Sequence, residues 1–353
     1  MSTIEAKLDD ILAHPLRAAW SCGGGAWGYV GLDIPADLTN IPGRVSCHLP
    51  WRKHVSAPIA GRWLETSFPG WAFSIVEDWA DGRFNCFEHV VFSRGEDAAH
   101  RLYYYICELQ RRGQLGGPRP LVFDIAKIPR ESSRRHTAVA LRKLMQDLNV
   151  PQEQLLSGIQ RTNGLRAAFL ALQRRRTGPG RLYEKLVRAS LFDAVDGLFE
   201  VWPSADERRQ SIGTIVLVGS APPDDNLHEA VESAGWTVSD EFYDRSMYRL
   251  GAAVDPATAD PVSSAALGWL DHGDGKRGFT DPVQSIAMRL RDQKVDAAIL
   301  WSVREDESLA WRVPAQRAAL AAAGIPTLVL TARSWNVDDG VVDEIYRFLR
   351  GLR

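Results

Sequence analysis

The sequence predicts an α/β protein: two parallel-sheet domains of the flavodoxin or Rossmann-like kind, with a helical segment between them. Three observations carry this. Short apolar strands alternate with helical stretches in the first 130 residues, the alternation stops between 131 and 210, and it restarts at Gly213. Repeated strand-helix units of this size imply parallel sheets covered by helices. At 353 residues the chain is too long for one ordinary core. The expected division is therefore 1–130, 131–210 and 211–353.

In the first part, Ile4, Leu8, Ile11 and Leu12 recur at helical spacing. Ala26 to Leu32 reads as a strand, and Pro35 starts a short helix from a first-turn position. Arg44 to Leu49 is a second strand, and Phe73 to Trp79 a helix. The stretch His89 to Glu108 reads as strand, turn and helix: Val90 to Phe92 buried, Ser93 to Asp97 turning, Ala98 to Leu109 helical. Pro120 to Asp124 is a further strand, followed by a turn at Ile128-Pro129-Arg130. The middle part reads as three helices, 132–148, 152–175 and 181–200. Arg174, Arg175 and Arg176 close the second, where cations suit the helix dipole.

The last part repeats the first pattern. Strands are expected at Thr214–Val218, Trp236–Ser239, Ala297–Trp301 and Pro326–Leu330, with helices at 224–234, 282–293, 313–323 and 341–349. Gly235 and Gly324 follow two of these helices, as C-terminal caps do. The stretch 251–281, rich in Gly, Asp, Pro and Ala, reads as a long loop.

Composition narrows the function. Net charge is −2, which gives no general attraction for nucleic acid or membrane surfaces. No apolar run approaches the ~18 residues of a membrane span. The first residues are acidic where a secretory signal would be basic, so a cytoplasmic location is expected. The four cysteines, Cys22, Cys47, Cys86 and Cys107, form no CxxC pair and read as structural thiols. Cys86 and His89 supply two metal-ligand types, but a zinc site needs a third and a fourth. Twelve tryptophans favour an aromatic-lined pocket.

Ligands of open α/β sheets sit at the carboxyl ends of strands. Three such ends carry polar clusters: Arg94, Glu96 and Asp97; Gly219 and Ser220; and Ser302, Arg304, Glu305, Asp306 and Glu307. Glu96 and Asp97 are the candidate acid-base carboxylates; acids at a helix start also simply suit its dipole. Arg94, Arg130, Ser220, Ser302 and Arg304 are the candidate ligand-binding residues, with the backbone N–H groups at Gly219-Ser220 a further anion contact. Known nucleotide and hydrolase fingerprints are missing: Gly23-Gly24-Gly25 precedes a strand rather than following one.

The order of these parts resembles the subunits of the benzoyl-CoA reductase and 2-hydroxyacyl-CoA dehydratase family over nearly the whole chain. The residues that carry the resemblance are Gly28-Tyr29 through Ile34-Pro35-Ala36-Asp37-Leu38, then Asp97 with Arg101-Leu102-Tyr103, then Ile128-Pro129-Arg130. Gly219-Ser220, the run Gly235 to Glu241, and Pro314 through Gly324-Ile325-Pro326-Thr327-Leu328 complete it. The resemblance implies a heterodimer of related subunits acting on acyl-CoA, supplied with electrons by an ATP-hydrolysing activator. It also implies three cysteines holding a [4Fe-4S] cluster, at positions near Pro69 and Gly70, at Glu96, and between Ser302 and Asp306. None of these is cysteine here. The expectation is therefore a subunit with no cofactor of its own, paired with a cluster-bearing paralogue. A stand-alone, cluster-free enzyme or binding protein for a small acidic or CoA-linked ligand in an interdomain cleft is the alternative.

Overall fold

A computed structural model describes residues 3–126, 128–175, 179–202, 211–272, 281–291 and 293–352. The strands are β1 Trp27–Val30, β2 Ser46–His48, β3 His89–Ser93, β4 Arg119–Phe123, β5 Thr214–Gly219, β6 Thr237–Phe242, β7 Ala297–Val303 and β8 Thr327–Arg333. The helices are α1 Thr3–Ala13, α2 Arg17–Ser21, α3 Ala36–Thr39, α4 Gly70–Ala80, α5 Asp97–Arg111, α6 Glu131–Asp147 and α7 Gln152–Arg175. They continue as α8 Gly180–Ala189, α9 Asn226–Ser233, α10 Pro261–His272, α11 Pro282–Leu290, α12 Glu307–Ala310, α13 Val313–Ala322 and α14 Val341–Gly351.

Among the described residues eight strands build two four-stranded sheets, ordered β2-β1-β3-β4 and β6-β5-β7-β8. Every pairing is parallel. The protein is thus an α/β fold of two parallel-sheet domains. The apolar character of the central strands explains the arrangement. β1 and β7 are buried along their whole length, as strands covered on both faces must be. Alternate residues serve opposite faces. Val90 and Phe92 face one core with α4 and α5, while Val91 faces another with α3, α6 and α7. Likewise Ile215 and Leu217 pack against α9 and α14, and Val216 and Val218 against α11 and α13.

Two expectations change. The helix expected over 181–200 ends at Ala189; Leu191, Phe192 and Val195 continue in turns and still bury, because the chain doubles back over the first sheet's edge. The stretch expected to be a loop over 251–281 contains α10. Its Val262, Ala265, Ala266, Trp269 and Leu270 fall on one face and fill the core beside α6 and α7. The small residues spaced among them concealed an amphipathic helix inside a loop-like composition. α10 therefore returns from the second half of the chain to close the first domain. Arg176 and residues 273–280 lie outside the described residues.

A buried ion pair ties the middle helices to both halves. Arg166 on α7 lies 3.0 Å from Asp37 on α3, and donates from Nη2 (2.6 Å) and Nε (2.9 Å) to the Leu250 carbonyl. Burial lifts the Asp37 carboxyl above its ordinary range despite the opposing charge of Arg166. Removing one partner of such a pair strands the other charge in the core. Arg166→Ala is expected to lower the unfolding free energy by about 3–5 kcal/mol in urea titrations. Adding Asp37→Asn should recover part of that loss, because no unpaired charge then remains.

Candidate functional site

Each sheet grows in one direction from its first strand and then reverses: β2 lies on one side of β1 and β3 on the other, and β6 and β7 flank β5 in the same way. Such reversals leave a crevice at the carboxyl ends of the strands. The two crevices open onto one cavity of about 580 Å³, within the range of small-molecule sites. The lining comes from Val30 and Gly31 at the end of β1, His48 and Trp51 at and beyond the end of β2, Arg94 to Asp97 after β3, and Ser220 after β5. Asp244 and Arg245 follow β6, Glu305 and Asp306 follow β7, and Trp335 follows β8.

Glycine makes both crevices possible. Gly31 (φ +85°) and Gly219 (φ +120°) each occupy the left-handed region as the chain leaves a central strand. A Cβ on Gly31 would lie 2.8 Å from Ser93 Cβ, and one on Gly219 would lie 2.1 Å from the Trp301 carbonyl oxygen. Alanine at 219 would therefore meet backbone that cannot yield without opening the β5–β7 pairing.

Direct contacts hold the two domains across the cavity. The Trp51 indole donates to the Pro223 carbonyl at 2.9 Å, Lys53 pairs with Asp224 at 2.7 Å, and Gly70 at the head of α4 packs on the Trp335 ring.

The candidate residues separate by position. Glu96 caps α5 and directs its carboxylate toward Gly31, so that a Cβ there would be 3.6 Å from Oε2. Asp97 stands at the rim with 83% of its side chain exposed, 3.7 Å from Arg101 one turn along α5. It sits as a helix-start charge rather than in a sheltered carboxylate pair. Arg94 lines the rim and pairs with Asp124 at 2.6 Å. Ser220 lines the cavity; its Oγ accepts from the Val303 N–H at 3.0 Å, which leaves the hydroxyl proton for a ligand. Its backbone N–H, expected to bind an anion, instead donates to the Trp301 carbonyl at 2.9 Å and belongs to the sheet.

Three candidates fall outside the cavity lining. Arg130 is exposed and precedes α6; Ser302 is buried inside β7 with its side chain away from the space; Arg304 is exposed, with its N–H bonded to the Arg333 carbonyl. Strand pleating explains Ser302, because Val303 takes the cavity side and its neighbour in β7 the other; Arg304 lies in the turn beyond the strand and outside the lining.

The cavity floor comes from residues the sequence pattern did not single out. His48 is only 8% exposed; its Nδ1–H donates to the Leu49 carbonyl at 2.8 Å, and its ring stands edge-on to Tyr29 and Trp51. Burial, with the nearby charges of Arg245 and Arg249, pushes its pKa down to about 4. It is therefore a neutral imidazole with Nε2 as an acceptor. Arg245, 6% exposed, places its guanidinium 4.9 Å from the Trp51 ring centre. Both residues were legible in principle: His48 ends β2 and Arg245 follows β6, so each stands at a strand's carboxyl end, as the chosen residues do.

Of the positions where the resemblance would place cluster thiolates, Pro69, Glu96, Glu305 and Asp306 line this cavity, and Gly70, Ser302 and Arg304 do not. Among the described residues no three His, Cys, Asp or Glu side chains are grouped to hold a metal ion. Cys22, Cys47, Cys86 and Cys107 are free thiols that do not line the cavity. The donor set does not fit an iron–sulfur cluster, which needs converging thiolates. Among the described residues no helix is long and apolar enough to cross a membrane. No family model and no curated protein matches the chain.

Two measurements check this geometry. Gly219→Ala should lose about 3 kcal/mol of stability, read from chemical denaturation, because strained backbone of this kind is held only by its surroundings. The depressed pKa of His48 sets a pH dependence with a definite sign. As pH falls below the ordinary 6.5, the unfolded chain takes up a proton that the folded chain refuses down to about 4. The contribution of neutral His48 is complete above 6.5 and erodes between 6.5 and 4, by on the order of 3 kcal/mol. Unfolding free energies across that window should fall less steeply in His48→Gln than in the unsubstituted chain.

Proposed function

We propose that this chain is a cluster-free subunit related to the 2-hydroxyacyl-CoA dehydratases and benzoyl-CoA reductases. It pairs in the cytoplasm with a cluster-bearing paralogue, itself served by an ATP-hydrolysing activator, in acyl-CoA dehydration or reduction. One observation supports the reading: three loops widely separated in sequence, at which the resemblance would place cluster ligands, contribute to a single cavity between two parallel-sheet rims. The cavity's size suits an acyl group, and Glu96 and Ser220 offer a carboxylate and a hydroxyl for binding and proton handling. The redox centre belongs to the paralogue, because the loops of this chain present oxygen donors where thiolates are required.

Anaerobic affinity purification of the full chain from its own cells tests the proposal. The expected result is a co-eluting paralogue that contains iron, and a complex that binds a short 2-hydroxyacyl-CoA thioester in calorimetry. A chain that elutes alone and binds no thioester sinks the reading. The second reading is a stand-alone protein for a small acidic ligand. The arginines on the lining favour it, Arg94, Arg101, Arg245 and Arg312. Stabilisation of the isolated chain by such a ligand in thermal melts would support it.

A further inference from the structure

At the floor of the cavity the Arg245 guanidinium lies among the carboxylates of Glu184 and Asp244 and the guanidinium of Arg188. Arg245 spends only Nη2 on the protein, on the Pro222 carbonyl and on Glu184 at 3.3 Å. Among the described residues its Nε and Nη1 have no hydrogen-bond partner, and neither is sealed from solvent. Glu184 is shared, since Arg188 also holds it at 3.1 Å. Behind the floor Arg249 is 8% exposed; its Nη2 donates to Ser190 Oγ at 2.8 Å while Nη1 is buried without a partner. Burial lowers the pKa of both arginines from the ordinary value, against the pull of Glu184 and Asp244 on Arg245 and of Tyr29 and Tyr183 on Arg249. Two sheltered guanidinium groups thus converge beside a neutral histidine.

We propose that Arg245, Trp51 and His48 form a subsite for the carboxylate of a small ligand that also carries a hydroxyl or ammonium donor. The open guanidinium nitrogens of Arg245 take the carboxylate through a charge-assisted hydrogen bond. Trp51, beneath the guanidinium and fixed to Pro223, keeps it from turning away. His48 Nε2 accepts from the donor, since its Nδ1–H is committed to Leu49. A phosphate fits less well: the Ser220 N–H it would need is already bonded within the sheet. The rest of the lining, with Glu96 and Glu305 beyond, leaves room for the remainder of the ligand. This rests on the reading of the cavity as the ligand site but not on any partner subunit.

Calorimetric titration of the full chain at pH 7 tests it, with glycolate, glycine, acetate and inorganic phosphate at ionic strength matched with chloride. Glycolate or glycine should bind about threefold or more tighter than acetate, and Arg245→Lys should weaken both by about tenfold or more. His48→Leu, which leaves no acceptor there, should remove the preference over acetate while acetate itself still binds. That variant also carries the test if the Arg245 substitution fails to fold. Equal binding to Arg245→Lys, phosphate outbinding the carboxylates, or no carboxylate binding beyond chloride overturns the proposal. If a CoA thioester binds and the carboxylates do not, only this subsite falls. If the carboxylates bind through Arg245 but neither paralogue nor thioester is found, the subunit reading falls and the subsite stands.

Discussion

Parallel pairing around a reversed strand order is the constraint from which the rest of this structure follows. A parallel sheet sends all its strand ends to one rim, and a reversal beside the first strand keeps the neighbouring loops from filling that rim. The protein has this arrangement twice, at β1/β3 and at β5/β7, and both rims face one cavity. Gly31 and Gly219 stand at corresponding places because both central strands need the same abrupt exit past a close neighbour. Much of the lining therefore comes from the carboxyl ends of strands and from the heads of covering helices.

Charge is distributed unevenly over that space. Asp97 and Glu307 meet solvent at the rim, while Glu184 and Asp244 lie near Arg245 below it. Buried cations gather toward the floor, where Arg245 and Arg249 lie beside His48. Low dielectric strengthens the floor's influence on anything that reaches it, whereas solvent screens the rim. The neutral state of His48 follows from the same arrangement: burial and two guanidinium groups all oppose a third positive charge. A ligand that is anionic at one end and donor-rich nearby satisfies what the floor lacks.

Rigidity of the cavity has its origin farther away. α10 belongs to the second half of the chain yet packs beside α6 and α7 in the first domain's core. The Arg166–Asp37 pair then locks α7 to α3 and to the Leu250 carbonyl. Together with the Trp51–Pro223 and Lys53–Asp224 contacts, these cross-connections hold the two rims facing each other. The loops after β3 and β7 present Glu96, Glu305 and Asp306 to the cavity, oxygen donors rather than the thiolates that an iron–sulfur cluster needs.

The α/β class, the eight strands and the break between the two halves were legible in the sequence, because each rests on local periodicity and on apolar runs of strand length. Glu96, Asp97, Arg94 and Ser220 were legible as rim residues for the same reason: a strand's carboxyl end can be read locally. α10 was not, because its apolar face acquires meaning only when α6 and α7 are present to cover it. Arg130, Ser302 and Arg304 looked equivalent to their neighbours, and only the pleat and the loop directions set them apart from the cavity. His48, Trp51 and Arg245 come together from positions almost 200 residues apart in the chain, brought into contact by the docking of one sheet against the other. The sequence by itself determined which segments become strands, although β6, β7 and β8 run past their expected ends to Phe242, Val303 and Arg333. Only the tertiary structure decided which of those ends share a space, because that depends on strand order and domain packing, which no local pattern encodes.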